Sequence, residues 1–233
     1  MITQTEGIIL HTTKYSESSI IAHIFTKEFG AGSYIMNNVR HKRSKMAYFQ
    51  IFSHVDISVY RKKNSSIHRI SNIEFAELHL PIYANIIKAS ICQFLGEILH
   101  KLLHSEEENK VLFSFITDTL HLLAHEEKTV GNFHLVFLIN LTHFFGITPQ
   151  HTWTEEKCFF DLHNGEFICS ETPLCIDKEC SFILHSLLSG NTEIVIPKNI
   201  KIQLLESLIQ YYKIHTHNFG SIQSLATLQT IFE

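Results

Sequence analysis

Short runs of β-prone residues, separated by polar or glycine-containing turns, dominate the first 80 positions of the chain. Residues 54–60 alternate polar and apolar side chains, which is the period of a half-buried strand. Gly30-Ala31-Gly32 separates two apolar runs, as a hairpin turn does. The predicted strands lie at residues 7–10, 20–26, 33–36, 54–60 and 66–71. Five short strands within about 75 residues predict a small β-barrel.

Apolar residues recur at helical spacing from Ile82 onward. The predicted helices cover residues 82–104, 109–124, 131–145, 178–189, 198–214 and 221–231. The third helix is predicted to end at Gly146, with Pro149 just beyond it. Residues 158–169 predict a β-hairpin, because Asn164-Gly165 is a strong turn signal. The chain is therefore predicted to be α+β. A β-barrel domain over residues 1–80 precedes a mainly α-helical domain over residues 81–233, which carries a short β-hairpin insertion.

The composition indicates a protein that folds on its own in the cytoplasm. The chain has 233 residues, of which 45% are hydrophobic and 18% charged, enough to bury a sizeable core. Its first residues do not show the pattern of a signal peptide, and charged residues interrupt every apolar stretch before it reaches the length of a membrane span. The odd number of cysteines, five, is typical of free thiols in a reducing compartment.

The charge is distributed unevenly along the chain, although the net charge is only −4. Residues 1–80 carry ten Lys or Arg against six Asp or Glu, a net charge of +4. Residues 81–233 carry nine basic against seventeen acidic side chains, a net charge of −8. This asymmetry favours an N-terminal part that faces a polyanion.

Basic residues cluster in the predicted loops of the barrel, where loops can follow a phosphate backbone. The candidate phosphate contacts are Lys14, Arg40, Lys42, Arg43, Lys45, Arg61, Lys62, Lys63 and Arg69. Aromatic residues lie between them, and Tyr34 and Tyr48 are candidates for stacking on bases, with Phe49, Phe52 and Tyr60 nearby. The alternative is a solvated basic loop with aromatic residues that belong to the core.

The spacing of possible metal ligands argues against a metal cofactor. Cys158, Cys169, Cys175 and Cys180 lack the paired C-x2-C spacing of structural zinc sites, so buried thiols are the simpler interpretation. The histidine pairs His100/His104 and His121/His125 lack further ligands in sequence. The sequence contains no dinucleotide-binding, P-loop, nucleophile-elbow or kinase motif, so we expect neither a cofactor nor an enzyme activity.

Several segments, taken in order, form a pattern that runs along the whole chain. The N-terminal segments are Gly7-Ile8-Ile9-Leu10, Tyr15-Ser16-Glu17-Ser18, Ile24-Phe25-Thr26 with Gly30, and Val39-Arg40-His41-Lys42-Arg43-Ser44. Further on they are Phe145-Gly146-Ile147-Thr148-Pro149, residues 208–212 with His215, Phe219-Gly220, Ser224-Leu225 and Leu228. Together these segments resemble the bacterial recombination mediator family RecO. Asn37-Asn38 replace the Lys-Gly that many members carry before the basic loop, and Ile51 replaces a common proline. The region around 152–175 corresponds to the family's zinc module but lacks both of its cysteine pairs, so the metal is not transferred.

The resemblance implies that the barrel is an oligonucleotide-binding fold (OB-fold) and that the protein is not catalytic. It implies binding of single- and double-stranded DNA and annealing of complementary strands. It also implies work with the RecR protein to load recombinase onto strands coated by single-stranded-DNA-binding protein, whose acidic tail the helical domain holds. We therefore expect a cytoplasmic, nucleoid-associated DNA repair protein.

Two other hypotheses remain open from the sequence. In the first of them, the chain is a scaffold that binds proteins rather than DNA. In the second, it is a metal-dependent enzyme that uses its histidines and cysteines. A scaffold would bind DNA weakly and independently of its length, and an enzyme of the second kind would contain metal after purification.

Overall fold

The structure is a computed structural model that describes residues 2–39, 43–61, 65–104, 107–127 and 130–231. The chain divides into two compact units. The first unit comprises Met1–His125 and Ile222–Leu225, and the second comprises Glu126–Ser221 and Ala226–Glu233. The first unit therefore includes the barrel and the helical residues that follow it as far as His125. No helix in the described ranges is long and apolar enough to cross a membrane.

Five strands close into a barrel in the first unit, which confirms the predicted α+β fold with an N-terminal barrel. The strands are β1 (Ile2–Lys14), β2 (Ile20–Thr26), β3 (Gly30–Met36), β4 (His54–Tyr60) and β5 (Ile67–Glu77). Their order around the barrel is β1-β2-β3-β5-β4. The pair β3–β5 is parallel and the others are antiparallel. The long strand β1 pairs with β4 through its first half and with β2 through its second half, and this closes the barrel.

Alternation of side chains along the strands fills the barrel core. Val55, Ile57 and Val59 of β4 are each at most 1% exposed, whereas Asp56 and Tyr60 between and beyond them point outward. The same period of two buries Ile20, Ala22 and Ile24 of β2. Between β3 and β4 lie a short helix, α1 (Arg43–Met46), and a 3-10 turn at Ala47–Phe49. Phe49 closes the barrel core at this side, 4% exposed.

The first unit continues with three helices: α2 (Leu80–Tyr83), α3 (Ile86–Leu102) and α4 (Lys110–His125). Asn85 caps α3, since its side-chain oxygen accepts hydrogen bonds from the backbone amides of Ile87 and Lys88. Helix α3 packs against β1, and glycine suits position 96 because a Cβ there would collide with the side chain of Ile51 and lie 3.3 Å from the carbonyl oxygen of Leu10. Lys88 is buried and its ammonium donates to the carbonyl oxygen of Ala124, 2.9 Å away, near the end of α4.

The second unit contains helices and a small sheet. The helices are α5 (Phe133–Leu141), α6 (Lys178–Leu188), α7 (Lys198–His215) and most of α8 (Ser224–Ile231), with 3-10 turns at Val130–Asn132 and Thr142–Phe145. The sheet has the order β7-β6-β8, with β6 (Phe159–Asp161), β7 (Glu166–Ile168) and β8 (Cys175–Ile176). Strands β6 and β7 confirm the predicted hairpin. The third strand, β8, has two residues and is too short to show a period in the sequence.

Candidate nucleic-acid interface

Two loops and one outer face of the barrel hold the exposed basic and aromatic side chains. The loop between β1 and β2 begins after Lys14, which is exposed, and its first residue, Tyr15, is 64% exposed. The loop between β4 and β5 begins with Arg61. In OB-folds the face of the second and third strands and these two loops contact oligonucleotides. The arrangement therefore places Lys14, Tyr15 and Arg61 where this fold class binds single strands.

The strand register brings further exposed side chains together. Tyr60 of β4 pairs with Arg69 of β5 on one side and with Ile2 of β1 on the other. Arg69 also pairs with Ile35 of β3. Residues that are directly opposite on neighbouring strands point to the same face of a sheet, and here that face is solvent-exposed: Ile2 is 53% and Tyr60 43% exposed. A guanidinium group thus lies beside a phenol ring on the outer surface.

The other predicted basic contacts lie in or near the loops. Arg40, Lys42, Lys62 and Lys63 lie outside the described residues, as does the side chain of Arg43, whose backbone begins α1. Lys45 is half-buried on α1. Arg61 is half-buried, and its guanidinium carbon lies 4.1 Å from the centre of the Phe29 ring. This cation–π contact fixes the start of the β4–β5 loop.

The structure corrects the assignment of Tyr34 as a base-stacking residue. Tyr34 is 1% exposed, and its ring lies 5.7 Å from the ring of His68 in the barrel interior, so no face of it is available to a base. Phe49 and Phe52 are buried as well. Tyr48 is half-buried, and its ring packs 4.6 Å from that of Phe75. The exposed aromatic residues at the candidate interface are instead Tyr15 and Tyr60.

An acidic row lies on the outer surface of β1, β4 and β5. Glu6, Asp56 and Glu74 lie in register across β1, β4 and β5, and Asp56 and Glu74 line a polar groove together with Asn72. Lys27 pairs with Glu6, with 2.6 Å between Nζ and Oε1. Burial raises the pKa of Glu6, but hydrogen bonds from Lys27 and His54 outweigh it and hold the pKa below its usual value. Carboxylates that remain charged repel phosphate, so this face limits the candidate interface.

Two half-buried histidines between the barrel and α3, His23 and His100, add no positive charge at neutral pH. The ring of His100 stacks on that of His11, and its Nδ1 lies 3.1 Å from Nδ1 of His23. Burial, together with the neighbouring histidines, lowers the pKa of both His23 and His100 to about 4. Both imidazoles are therefore neutral at pH 7, and the formal charges of Lys and Arg govern the electrostatics of this unit.

The second unit contains a mainly apolar pocket with two lysines, which the sequence reasoning did not find. Ile196, Ile202 and Leu205 line it together with Lys198 and Lys201. Burial lowers the pKa of Lys201. The signal in the sequence is faint, because these residues are spread over a loop and the first turns of α7. Lys88 of α3 is buried, so it is not part of the basic surface of the helices.

The cysteines do not gather around a common point within the described ranges. Of the groups of three or more possible ligands found there, none contains Cys158, Cys169, Cys175 or Cys180. Cys92 and Cys180 are buried, and burial raises the pKa of Cys180 to about 12. Such thiols are poor nucleophiles at neutral pH.

Comparison with known proteins relates the whole chain to one family. The family model described as "Recombination protein O N terminal" matches residues 1–79, and the one described as "Recombination protein O C terminal" matches residues 83–221. The chain is 31% identical to the DNA repair protein RecO of Azobacteroides pseudotrichonymphae over 244 aligned residues that cover 100% of both chains. It is 29% identical to that of Flavobacterium psychrophilum, with 98% of both chains covered, and 30% identical to that of Phocaeicola vulgatus, with 100% of both covered.

Proposed function

Because this chain belongs to the RecO family, whose role lies in DNA repair and recombination, we propose that it is a recombination mediator that binds single- and double-stranded DNA through its barrel. The observation that carries the proposal is the outer face on which Arg69 lies beside Tyr60, at the end of β4 where the loop that begins with Arg61 follows. Basic side chains neutralise phosphates, and exposed phenol rings stack on bases without regard to sequence. The acidic row Glu6, Asp56 and Glu74 restricts this binding to one part of the barrel.

Annealing follows from the same surface without a catalytic group. Two complementary strands repel each other because both are polyanions, and a basic surface that holds one strand lowers this repulsion for the second. Stacking platforms hold single strands with their bases unpaired, which leaves the bases available to a complementary strand. We therefore assign no catalytic residue, and the chain is proposed not to be an enzyme.

The partner proteins are proposed to bind the remainder of the molecule. The apolar pocket with Lys198 and Lys201 suits an acidic peptide that also carries an apolar side chain, because the lysines attract the carboxylates and the isoleucines accept the apolar group. We assign this pocket to the acidic tail of single-stranded-DNA-binding protein. Together with RecR, the bound complex would load recombinase onto the coated strand, in the cytoplasm at the nucleoid.

The experiment that tests DNA binding compares two variants that each lose three positive charges, one set from the basic loop and one set from elsewhere. Fluorescence anisotropy with a labelled single strand of about 30 nucleotides, long enough for roughly two or more OB-fold sites, is measured at several salt concentrations. The variant Lys42→Ala/Arg43→Ala/Lys45→Ala should bind more weakly, and the slope of log affinity against log salt should flatten by about two. The variant Lys110→Ala/Lys157→Ala/Lys213→Ala removes the same charge from exposed positions elsewhere and should retain the wild-type slope.

Two results would contradict this proposal. Equal losses in the two triple variants would mean that only the net charge matters and that the loop makes no contacts. Failure of the wild type to bind DNA at low salt would favour a protein-binding scaffold. A double-stranded probe of the same length, measured in parallel, tests the second half of the proposed specificity.

A further inference from the structure

Three possible metal ligands converge at one end of the barrel. Tyr60 and Arg69 lie toward the other end of the same two strands, β4 and β5. His54 is the first residue of β4, and Glu77, the last residue of β5, is its partner in the strand register. His79 follows two residues later, directly before α2. One ring nitrogen of each histidine and one carboxylate oxygen of Glu77 all lie within 4.8 Å of one another.

The two histidines are buried and have unused nitrogen atoms. His54 is 7% and His79 4% exposed. Nδ1 of His54 and Nε2 of His79 are buried without a hydrogen-bond partner. Nε2 of His79 lies 3.6 Å from Oε2 of Glu77, beyond hydrogen-bond distance. Buried polar atoms are almost always satisfied, so an unsatisfied nitrogen on each of two histidines that converge with one carboxylate indicates a missing partner.

The carboxylate of Glu6 fixes the tautomer of His54 that a metal ligand requires. Nε2 of His54 lies 3.0 Å from Oε2 of Glu6. The Nε2–H group of His54 donates a hydrogen bond to this carboxylate, which leaves the lone pair on Nδ1, the nitrogen that has no partner. A carboxylate on the far nitrogen is the common arrangement around histidines that bind metals, because it fixes the tautomer and the ring orientation.

We propose that His54, Glu77 and His79 bind a divalent transition-metal ion and that Zn²⁺ is the metal that fits best. Two imidazoles and one carboxylate are a known zinc ligand set. Two ligand atoms on a tetrahedral zinc ion are about 3.3 Å apart, given bond lengths of about 2.0–2.1 Å, and the 3.6 Å between His79 and Glu77 is close to this. Nδ1 of His121, 3.4 Å from the other carboxylate oxygen of Glu77, or a water molecule completes the coordination.

The metal would join β4, the end of β5 and the start of α2, and through His121 also α4. Its role is therefore structural, and it is separate from the DNA-binding surface at the other ends of β4 and β5. The site departs from the expectation of no metal, which rested on cysteine spacing and on histidine pairs within single helices.

The test uses full-length protein without an affinity tag, since a histidine tag would itself bind the metal. The metal-free protein is titrated with ZnCl2 against a chromogenic chelator, and CoCl2 is added in a parallel series to record its visible absorption. The variants Glu77→Gln and His79→Gln are compared with His217→Gln, which removes an exposed histidine of the second unit. Wild type and His217→Gln should bind one equivalent, and the other two should bind at least about 100-fold more weakly, as for loss of a ligand with its oriented neighbours.

A second measurement separates loss of metal from loss of folding. Zn²⁺ should raise the melting temperature of the wild type and of His217→Gln but not that of Glu77→Gln, which keeps the size of the side chain and should melt cooperatively without metal. Intense cobalt absorption, typical of a tetrahedral site, should be present in the wild type and absent in Glu77→Gln. Wild-type zinc affinity in Glu77→Gln and His79→Gln would overturn the proposal, as would an equal loss in His217→Gln.

Discussion

Arg69 of β5 lies directly opposite Tyr60 of β4 in the antiparallel register, and both side chains are exposed. The pair places a cation and an aromatic ring side by side at the point where the β4–β5 loop leaves the barrel. A single strand that runs along this face would meet the phenol ring with a base and the guanidinium with a phosphate. The two contacts differ in their dependence on salt, which makes them separable by experiment.

Substitution of Tyr60 and Arg69 should weaken DNA binding in two different ways. Tyr60→Ala removes a stacking platform and should lower the affinity for a single strand by about 1–3 kcal/mol, with an unchanged salt slope. Arg69→Ala removes one phosphate contact and should reduce the slope by about 0.7 for a single strand. Tyr60→Phe keeps the ring and serves as the control. Wild-type affinity of Tyr60→Ala in anisotropy titrations would remove this face from the interface.

A glycine at the β2–β3 hairpin should tolerate alanine poorly. Gly30 has a φ of +65°, and a Cβ there would collide with the backbone of Glu107. Gly146 has nearly the same φ, +67°, but nothing lies within 4 Å of a Cβ at that position. Both alanine variants carry the left-handed backbone strain of about 1–2 kcal/mol, and Gly30→Ala adds overpacking of about 1–3 kcal/mol. The free energy of unfolding, measured by urea denaturation, should therefore be lower for Gly30→Ala than for Gly146→Ala. Equal values would show that the predicted collision with Glu107 does not destabilise the protein.

Burial of His134 should make the stability depend on pH. His134 is fully buried on α5, and burial, followed by the charge of Lys201, lowers its pKa to about 3 from an ordinary value of 6.5. The unfolded chain takes up a proton below pH 6.5 and the folded chain does not, so stability present at pH 7 is lost as the pH falls from 6.5 toward 3. Between pH 6.5 and 5 this loss is about 2 kcal/mol.

The control for this effect is the variant His134→Gln, which cannot take up the proton in either state. Free energies of unfolding from urea titrations at pH 7 and pH 5 should fall less in His134→Gln than in wild type, by roughly that amount. His217→Gln, which removes an exposed histidine, should follow the wild type. A wild-type pH dependence in His134→Gln would show that other groups account for the acid sensitivity.

The barrel and the helices were predictable because their patterns are local. Val55, Ile57 and Val59 alternate with polar neighbours, so the sequence indicates both the strand and its buried face. Tyr34 was misassigned because its neighbours on the opposite face of β3 are Ser33 and Ile35, one polar and one apolar, so polarity alone does not indicate which side is buried. The buried side depends on the closed barrel, in which Tyr34 packs near His68.

The candidate metal site and the lysine pocket were not predictable for a different reason. His54 and Glu77 are 23 positions apart, and they meet because β4 pairs with β5 in one register, with an irregularity between His54 and Val55. Motif spacing identifies ligands on one loop or helix, but it does not identify ligands that strand pairing brings together. The pocket around Lys198 and Lys201 likewise needs Ile196 and Leu205 to pack around it, and this is a tertiary event.

The pocket of the second unit should bind an acidic peptide through charge and apolar contact together. A labelled peptide with several aspartates and an apolar residue at its end should bind the wild type. The variant Lys198→Gln/Lys201→Gln should lower the affinity by about 100-fold or more, because charged contacts at a partly desolvated site are worth about 1.5–3 kcal/mol each. The matched control Lys157→Gln/Lys213→Gln removes two exposed lysines and should bind as the wild type does. A peptide in which alanine replaces the terminal apolar residue should also bind more weakly, since Ile196, Ile202 and Leu205 would lose their contact.

Equal affinities in the two lysine variants would mean that the peptide binds elsewhere. Loss in the lysine variant alone, with no effect of the terminal residue, would reduce the pocket to a nonspecific basic patch.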